Sequence, residues 1–287
     1  MKGLTADDAT RQPGLLGDTA ARDYASKLKQ FNAFARPELR QAIASLRLQP
    51  GMHVVDVGCG TGEVLSWLAD EVGTTGVVVG MELAAAHAVC ARAAVPPSVL
   101  VLQADLWQAP LRCASFDVVW SVNTINHLRD PLAGVKSLAG LLRPGGRVAL
   151  GQSSLLPDMV FAWDSRLERL TNEAVRQYYR DRYRLSEADL TAIRSLVGLL
   201  RSAELANVSV RTWPLERISP LDAASASYLA EVIFRDTWGE RLRPYLSADD
   251  YQRLTRLCDP HSPEFALRRA DLHFLQTFTL AVGDIPA

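Results

Sequence analysis

The chain reads as an α/β protein built on a largely parallel sheet, and three observations predict it. The apolar run Val54-Val55-Asp56-Val57 has the look of a buried strand, stops at three glycines set two apart (Gly58, Gly60, Gly62), and is followed by the helical-looking Val64-Leu65-Ser66-Trp67-Leu68. Glycine supplies backbone freedom and lacks a Cβ, so a ligand can lie against the main chain at such a turn. Apolar strands then alternate with helical stretches for about a hundred residues, the pattern of a parallel sheet with right-handed crossovers. Two of those strands end in acids, Glu82 and Asp105, at the carboxyl edge where open α/β sheets bind ligands.

At 287 residues the chain is long enough for one large α/β domain with insertions or for two small domains. Hydrophobic residues at 48% and charged residues at 22% are ordinary for a soluble globular protein. A net charge of −1 gives no electrostatic reason to expect nucleic acid or an anionic membrane as partner. The four cysteines (Cys59, Cys90, Cys113, Cys258) show no C-x-x-C pair and no metal-ligand spacing, so reduced thiols and no metal are expected. No apolar run reaches the length of a membrane span and the start of the chain is polar, which together suggest a cytoplasmic protein.

Residues 1–20 lack periodicity and are expected to form a mobile arm. From Ala21 to Phe34, Tyr24, Leu28, Phe31 and Phe34 recur at helical spacing; the helix either packs its aromatic stripe on the domain or serves as a lid. Pro37 suits the first turn of a second helix, 37–46. After the glycine turn come a helix over 63–72, a strand over 77–82, a helix over 84–94, a strand over 99–105, a strand over 116–123 and a fifth strand over 147–151. Glu82 lies about twenty residues beyond the glycines, the interval at which a carboxylate meets ribose hydroxyls in nucleotide-binding folds; a surface acid at a strand end is the bland alternative. Strands six and seven are expected at 207–212 and 273–282.

The ligand does not look like a dinucleotide. The fingerprint's third glycine falls on Glu63, a poor neighbour for a pyrophosphate at a helix start, and no phosphate-loop Gly-Lys-Ser/Thr ending is present. The run Asp56-Val57-Gly58-Cys59-Gly60-Thr61-Gly62 resembles motif I of the class I S-adenosylmethionine (SAM) dependent methyltransferases. The Phe116-Asp117 opening of the fourth strand and the Leu142-Arg143-Pro144-Gly145-Gly146 turn are similar to that family as well. The resemblance implies a Rossmann-like seven-stranded sheet of order 3-2-1-4-5-7-6 with strand seven antiparallel. It implies SAM as cofactor, held by Tyr24, Asp56, Gly58, Cys59, Gly60, Thr61, Gly62, Glu82, Leu83, Ala104, Asp105, Leu106 and Asn123, with Asp105 reading the adenine amino group. The organisation expected is an arm with lid helices (1–45), a SAM-binding core (46–151), a helical insertion with a core helix (152–206), and the last two strands (207–287) around an insertion at about 213–270.

SAM carries its own leaving group, so orientation supplies most of the catalysis, and the catalytic residue is correspondingly hard to read. Asn123-Thr124-Ile125-Asn126-His127-Leu128-Arg129-Asp130-Pro131 resembles the His-His-x-x-Asp-Pro stretch of quinone-ring C-methyltransferases and natural-product sugar O-methyltransferases, with Asn126 in place of the first histidine. His127 is therefore the candidate general base; packing against the cofactor is its alternative role. His87 is expected to face away, and His261 and His273 lie in or beside the last insertion. Both insertions leave from the carboxyl edge, so Phe161, Trp163, Tyr178, Trp213, Tyr228, Phe234 and Trp238 are expected to roof a pocket for a small hydrophobic acceptor. The expected function is methyl transfer to a small, largely apolar molecule at O or C, in natural-product metabolism, with self-association left open. A SAM-binding protein that does not transfer methyl is the alternative, and a nicotinamide oxidoreductase is disfavoured by Glu63.

Overall fold

Short runs of valine and other β-formers, each too brief for a helix, assemble the centre of the molecule. In the computed structural model, which describes residues 14–16, 18–186, 190 and 192–286, β1 (His53–Val57) pairs in parallel with β2 (Val77–Glu82) and β4 (Phe116–Val122). Beyond these lie β3 (Leu100–Gln103) on β2 and β5 (Leu142–Ser153) on β4, again parallel. The antiparallel β8 (His273–Asp284) runs beside β5, with β7 (Ala206–Ile218) on its far edge. The path is thus β3-β2-β1-β4-β5-β8-β7, the order expected, with a two-residue β6 (Met159–Val160) continuing the β5 edge of β8.

Alternate residues of the strands are buried on opposite faces, as a sheet covered on both sides requires. Val54, Val118 and Trp120 pack with Leu39, Leu65 and Leu68 on one face, whereas Val55, Val119 and Val148 pack with Val135, Leu138 and Leu200 on the other. The helices of the first face are α1 (Ala25–Phe34), α2 (Arg36–Ser45) and α3 (Glu63–Val72); α4 (Ala85–Ala94) follows β2, and α5 (Pro131–Gly140) and α7 (Leu196–Ser202) cover the second face. Pro37 sits in the first turn of α2, where its missing N–H costs nothing, and Asp130 caps α5 by accepting the Ala133 N–H at 2.9 Å.

Several boundaries differ from those expected. The first helix begins at Ala25, leaving residues 18–24 outside it, with a turn closed by the Arg22 N–H on the Thr19 carbonyl at 3.1 Å. β7 runs on to Ile218 because it stays paired with β8 through Ile218–His273, so Trp213 belongs to a strand and the second insertion starts after it. The insertions hold α6 (Ser165–Tyr183), α8 (Ala223–Ser227), a ten-residue π-helix (Tyr228–Thr237) and α9 (Ala248–Cys258). They pack on one another and do not close over the carboxyl edge. Of the expected mobile arm, residues 14–16 and 18–20 lie against that edge instead, and 1–13 and 17 fall outside the described residues. No helix among the described residues is long and apolar enough to cross a membrane.

Candidate active site

The turn after β1 is bonded to the end of β2: the Gly58 and Cys59 amides both donate to the Met81 carbonyl, at 2.7 and 3.1 Å. Gly58 takes φ +82°, and a Cβ there would stand 2.1 Å from Thr124 Oγ1, so no other residue fits. The Gly60 N–H donates to Glu82 Oε2 at 2.9 Å, and the Gly62 N–H closes the turn on the Cys59 carbonyl at 3.1 Å. Gly62 serves packing: at φ +90° its Cα faces Ala91 of α4, which a Cβ would approach to 2.8 Å. Thr61 is wholly buried and its hydroxyl donates to Glu63 Oε2 at 2.6 Å, an oxygen that also accepts Asn32 Nδ2 at 2.8 Å. Thr61 and Gly62 therefore shape the turn, and neither lines the cavity beside it.

Glu82 closes β2 almost buried, with Oε1 accepting the Ala84 N–H and Oε2 the Gly60 N–H, both at 2.9 Å. Each carboxylate oxygen keeps a lone pair for a further donor. Asp56 lies buried nearby; burial, reinforced by the charge of Glu82, pushes its carboxyl well above the usual range. Burial, with Asp56 and Glu82, likewise raises the Cys59 thiol, so it is not a nucleophile at neutral pH. Asp105 lines the same cavity with Ala104 and Leu106, and its Oδ1 accepts the Trp107 N–H at 3.1 Å as the cap of a short 3-10 turn. Asn123 adopts φ +53°, which asparagine tolerates, and its Oδ1 accepts from the Ser153 amide at 2.8 Å and hydroxyl at 3.0 Å.

The early residues complete the site as a strap. The Leu15 N–H donates to the His127 carbonyl at 2.9 Å, and Asp18 Oδ2 lies 2.6 Å from His127 Nδ1. Burial would raise the Asp18 carboxyl, yet the bond and charge of His127 together with Arg22, 2.7 Å away, hold it below its ordinary value. A carboxylate only accepts, so Nδ1 of His127 carries the proton and Nε2 of the neutral ring keeps its lone pair. Arg22 also lies over the Tyr24 ring, 5.0 Å from its centre. Burial, then the charges of Asp18 and Glu82, raise the Tyr24 phenol, which stays neutral.

These groups bound one cavity of about 590 Å³, within the range of small-molecule and cofactor sites. Leu28, Phe31 and Asn32 of α1 form one wall, Glu82, Leu83 and Asp105 another, and His127 and Asp18 stand at the strap. Residues 55–150, which carry most of these groups, match the family model described as "Methyltransferase domain". This stretch is a methyltransferase domain. The chain is 36% identical over 115 residues to 27-O-demethylrifamycin SV methyltransferase of Amycolatopsis mediterranei (39% of this chain, 42% of that protein). It is 29% identical over 235 residues to malonyl-[acyl-carrier protein] O-methyltransferase of a Marinomonas species, covering 79% of this chain and 81% of that one. It spans less than half the length of the first curated relatives it matches. Its fold is that of a solved Bacillus halodurans protein (TM-score 0.54, 18% identity, 88% of this chain and 100% of that one). It is also that of a Haemonchus contortus phosphoethanolamine N-methyltransferase in complex with S-adenosylhomocysteine (TM-score 0.50, 18% identity, 86% and 52%).

Around the methyltransferase domain, the insert aromatics are not where the sequence suggested. Trp163 packs on Trp238 at 4.7 Å, Phe234 on Trp238 at 5.5 Å, Trp213 against Phe278 at 6.2 Å, and Tyr178 beside Tyr245 at 6.4 Å. Phe161 is half-exposed and stacks on His273. None of the seven lines the cavity, because large rings gain more by packing together in a helical layer than by facing an open cleft. Their part is indirect. The π-helix holds α1 from behind: Tyr228 stacks on Phe34 at 4.3 Å, Glu231 accepts from Gln30 at 2.7 Å, and Asp236 pairs with Lys27 at 3.1 Å.

Among the histidines, His273 pairs with Glu216 at 2.7 Å and His261 is exposed, both away from the cavity. His87 does not face away: it is fully buried between Tyr24 and Glu82. Sequence reasoning missed Asp18, Arg22, Asn32 and Thr124 as members of the site, and nothing in their local pattern marks them. Among the described residues no group of side chains is arranged to hold a metal ion.

Proposed function

We propose that the protein transfers a methyl group from SAM to a hydroxyl of a small, largely apolar molecule. The observation that carries this reading is the His127–Asp18 pair standing on the same cavity as Glu82, Asp105 and the glycine turn. The residues present fit the cofactor. Glu82 retains an acceptor site on each oxygen for two ribose hydroxyls, and Gly58 and Gly60, which carry no side chains of their own, line the same cavity. Leu83, Ala104 and Leu106 offer apolar edges for a purine, with Asp105 as the polar mark beside them. SAM, when bound, supplies an electrophilic methyl on a sulfonium that leaves without assistance.

The protein's own contribution is to hold the acceptor and take its proton. Asp18 accepts the Nδ1–H hydrogen bond, so the neutral form of His127 presents the Nε2 lone pair to accept a hydroxyl proton as that oxygen becomes the nucleophile. Asp18, charged and paired with Arg22, stabilises the imidazolium that results. Leu28, Phe31 and Leu39 give the acceptor an apolar wall, and a relative named for methylation at an oxygen of a rifamycin precursor supports the same choice of atom and a place in natural-product metabolism.

The test is transfer of isotopically labelled methyl from SAM to a panel of small phenols and enols by the full chain, with calorimetric SAM binding alongside. His127→Asn should lower kcat by about 10²–10⁴-fold, the usual worth of a general base, while SAM affinity stays within about threefold. SAM binding without transfer to any acceptor would support a binding protein instead. Transfer unaffected by His127→Asn would remove the base.

A further inference from the structure

Glu82 has a buried neighbour that the proposed chemistry does not use. His87 sits in the first turn of α4, its side chain wholly excluded from solvent, with its ring edge-on to Tyr24 at 4.4 Å between centres. Its Nε2 accepts the Tyr24 backbone N–H at 3.0 Å. A nitrogen that accepts is unprotonated, so the proton of the neutral ring is on Nδ1. That Nδ1 lies 3.7 Å from Glu82 Oε1 and has no hydrogen-bond partner among the described residues. A buried donor left just short of a carboxylate is rare and calls for a reason.

The strap meets the same helix at a second point. The Ala85 N–H, one of the amides that a helix start leaves without an internal partner, donates to the Ala20 carbonyl at 2.9 Å. Residues 20–24 therefore close the start of α4 on one side while Glu82 stands on the other, and the His87 ring lies between Tyr24 and Glu82. Undocking the strap would free Nε2, allow the other tautomer, and remove the donor that faces Glu82.

We propose that His87 is a positioning residue that ties docking of residues 18–24 to the Glu82 carboxylate, making strap closure and cofactor binding one coupled event. This rests on the reading of Glu82 as the ribose-binding group. With the strap docked, the Nδ1 proton faces Oε1 at 3.7 Å, just short of a hydrogen bond, and leaves the remaining lone pairs for the ligand. With a ligand drawing on Oε1, the imidazole is kept in the tautomer that accepts Tyr24.

The experiment uses the full chain with SAM as probe. Calorimetric affinity and hydrogen–deuterium exchange at the Tyr24 amide are read in wild type, His87→Phe and His87→Gln. Saturating SAM should slow exchange of that amide in wild type. His87→Phe, which keeps a packed ring without nitrogens, should weaken SAM binding about tenfold, the loss expected when ligand binding can no longer close the 3.7 Å gap to one hydrogen bond with a charged group, and abolish the SAM-dependent protection. His87→Gln, whose side-chain oxygen can accept the Tyr24 N–H, should restore part of both. In a Glu82→Gln background the same His87→Phe change should cost less than about threefold, since coupled groups are not additive.

A His87→Phe protein that binds SAM within about twofold of wild type, or a full and independent cost in both backgrounds, would overturn the proposal. So would a wild-type Tyr24 amide indifferent to SAM, a result that needs no variant and decides the matter should His87→Phe not fold. If wild type fails to bind SAM at all, the functional reading falls and takes this inference with it; SAM binding with an indifferent Tyr24 amide overturns the inference alone.

Discussion

Replacing Glu82 tests the site where structure and ligand binding overlap most. Its two oxygens each accept one backbone N–H, from Gly60 and Ala84, at 2.9 Å. Charge-assisted bonds of this kind contribute about 1.5–3 kcal/mol each, so Glu82→Ala removes at most roughly 3–6 kcal/mol. Two effects reduce the loss. Water entering the cavity can rehydrate the freed amides, and Asp56, whose carboxyl Glu82 helps push upward, is relieved of a like charge. A net loss of about 2–3 kcal/mol, or roughly 4–12 °C in thermal midpoint for a domain of this size, is expected in the cofactor-free protein. SAM affinity, by calorimetry, should fall at least about tenfold. Glu82→Gln, keeping one acceptor, should show about half of both effects. A cofactor-free midpoint within about a degree of wild type would refute the idea that Glu82 pins the glycine turn. An unchanged SAM dissociation constant would refute its role toward ribose.

Gly58→Ala should reduce SAM binding by about a hundredfold or more by calorimetry, because its Cβ would stand 2.1 Å from Thr124 Oγ1 on a backbone at φ +82°. Trp238→Ala should cost about 3–5 kcal/mol by denaturant unfolding, as expected for an aromatic in a core, yet leave SAM affinity unchanged at temperatures where the variant is folded. A marked loss of affinity would mean that the insert layer reaches the cavity after all. Because the Asp18 carboxyl lies below its ordinary value in the folded protein, its bond to His127 stabilises the strap above the ordinary carboxylate range and is lost as pH falls through the lowered value. Protection of the Leu15 amide, measured against its intrinsic exchange rate at each pH, should fall on acidification through that window and stay level there in Asp18→Asn.

Much of this was legible along the chain because the information is local. A valine run ending in glycines, acids at the ends of β2 and β3, and a Pro-Gly-Gly turn each fix their own geometry, and the strand order matches the family pattern they resemble. Thr61 and Gly62 belong to the same motif as Gly58 and Gly60, and their hydrogen bond and packing hold the turn that those two present to the cavity. Errors arose wherever a side chain's destination depends on distant packing. His87 faces inward because Gly62 lets α4 approach closely, a phase that periodicity does not reveal. The insert aromatics have the composition of a pocket lining and the position of a core, and composition cannot separate the two. Asp18 lies 109 residues from His127 in a stretch with no periodicity.

That separation has a consequence for how the protein is made and handled. The strap is synthesised ahead of its partners, His87 and His127, which follow it by 63 and 109 positions. Its docking waits on a folded sheet and must offset the entropy of closing a long loop, so it is among the last segments to settle and among the first to open. Residues 18–24 are therefore no neutral place for an insertion or a trimmed boundary. A chain cut before residue 25 retains every strand of the sheet and loses the carboxylate that orients His127.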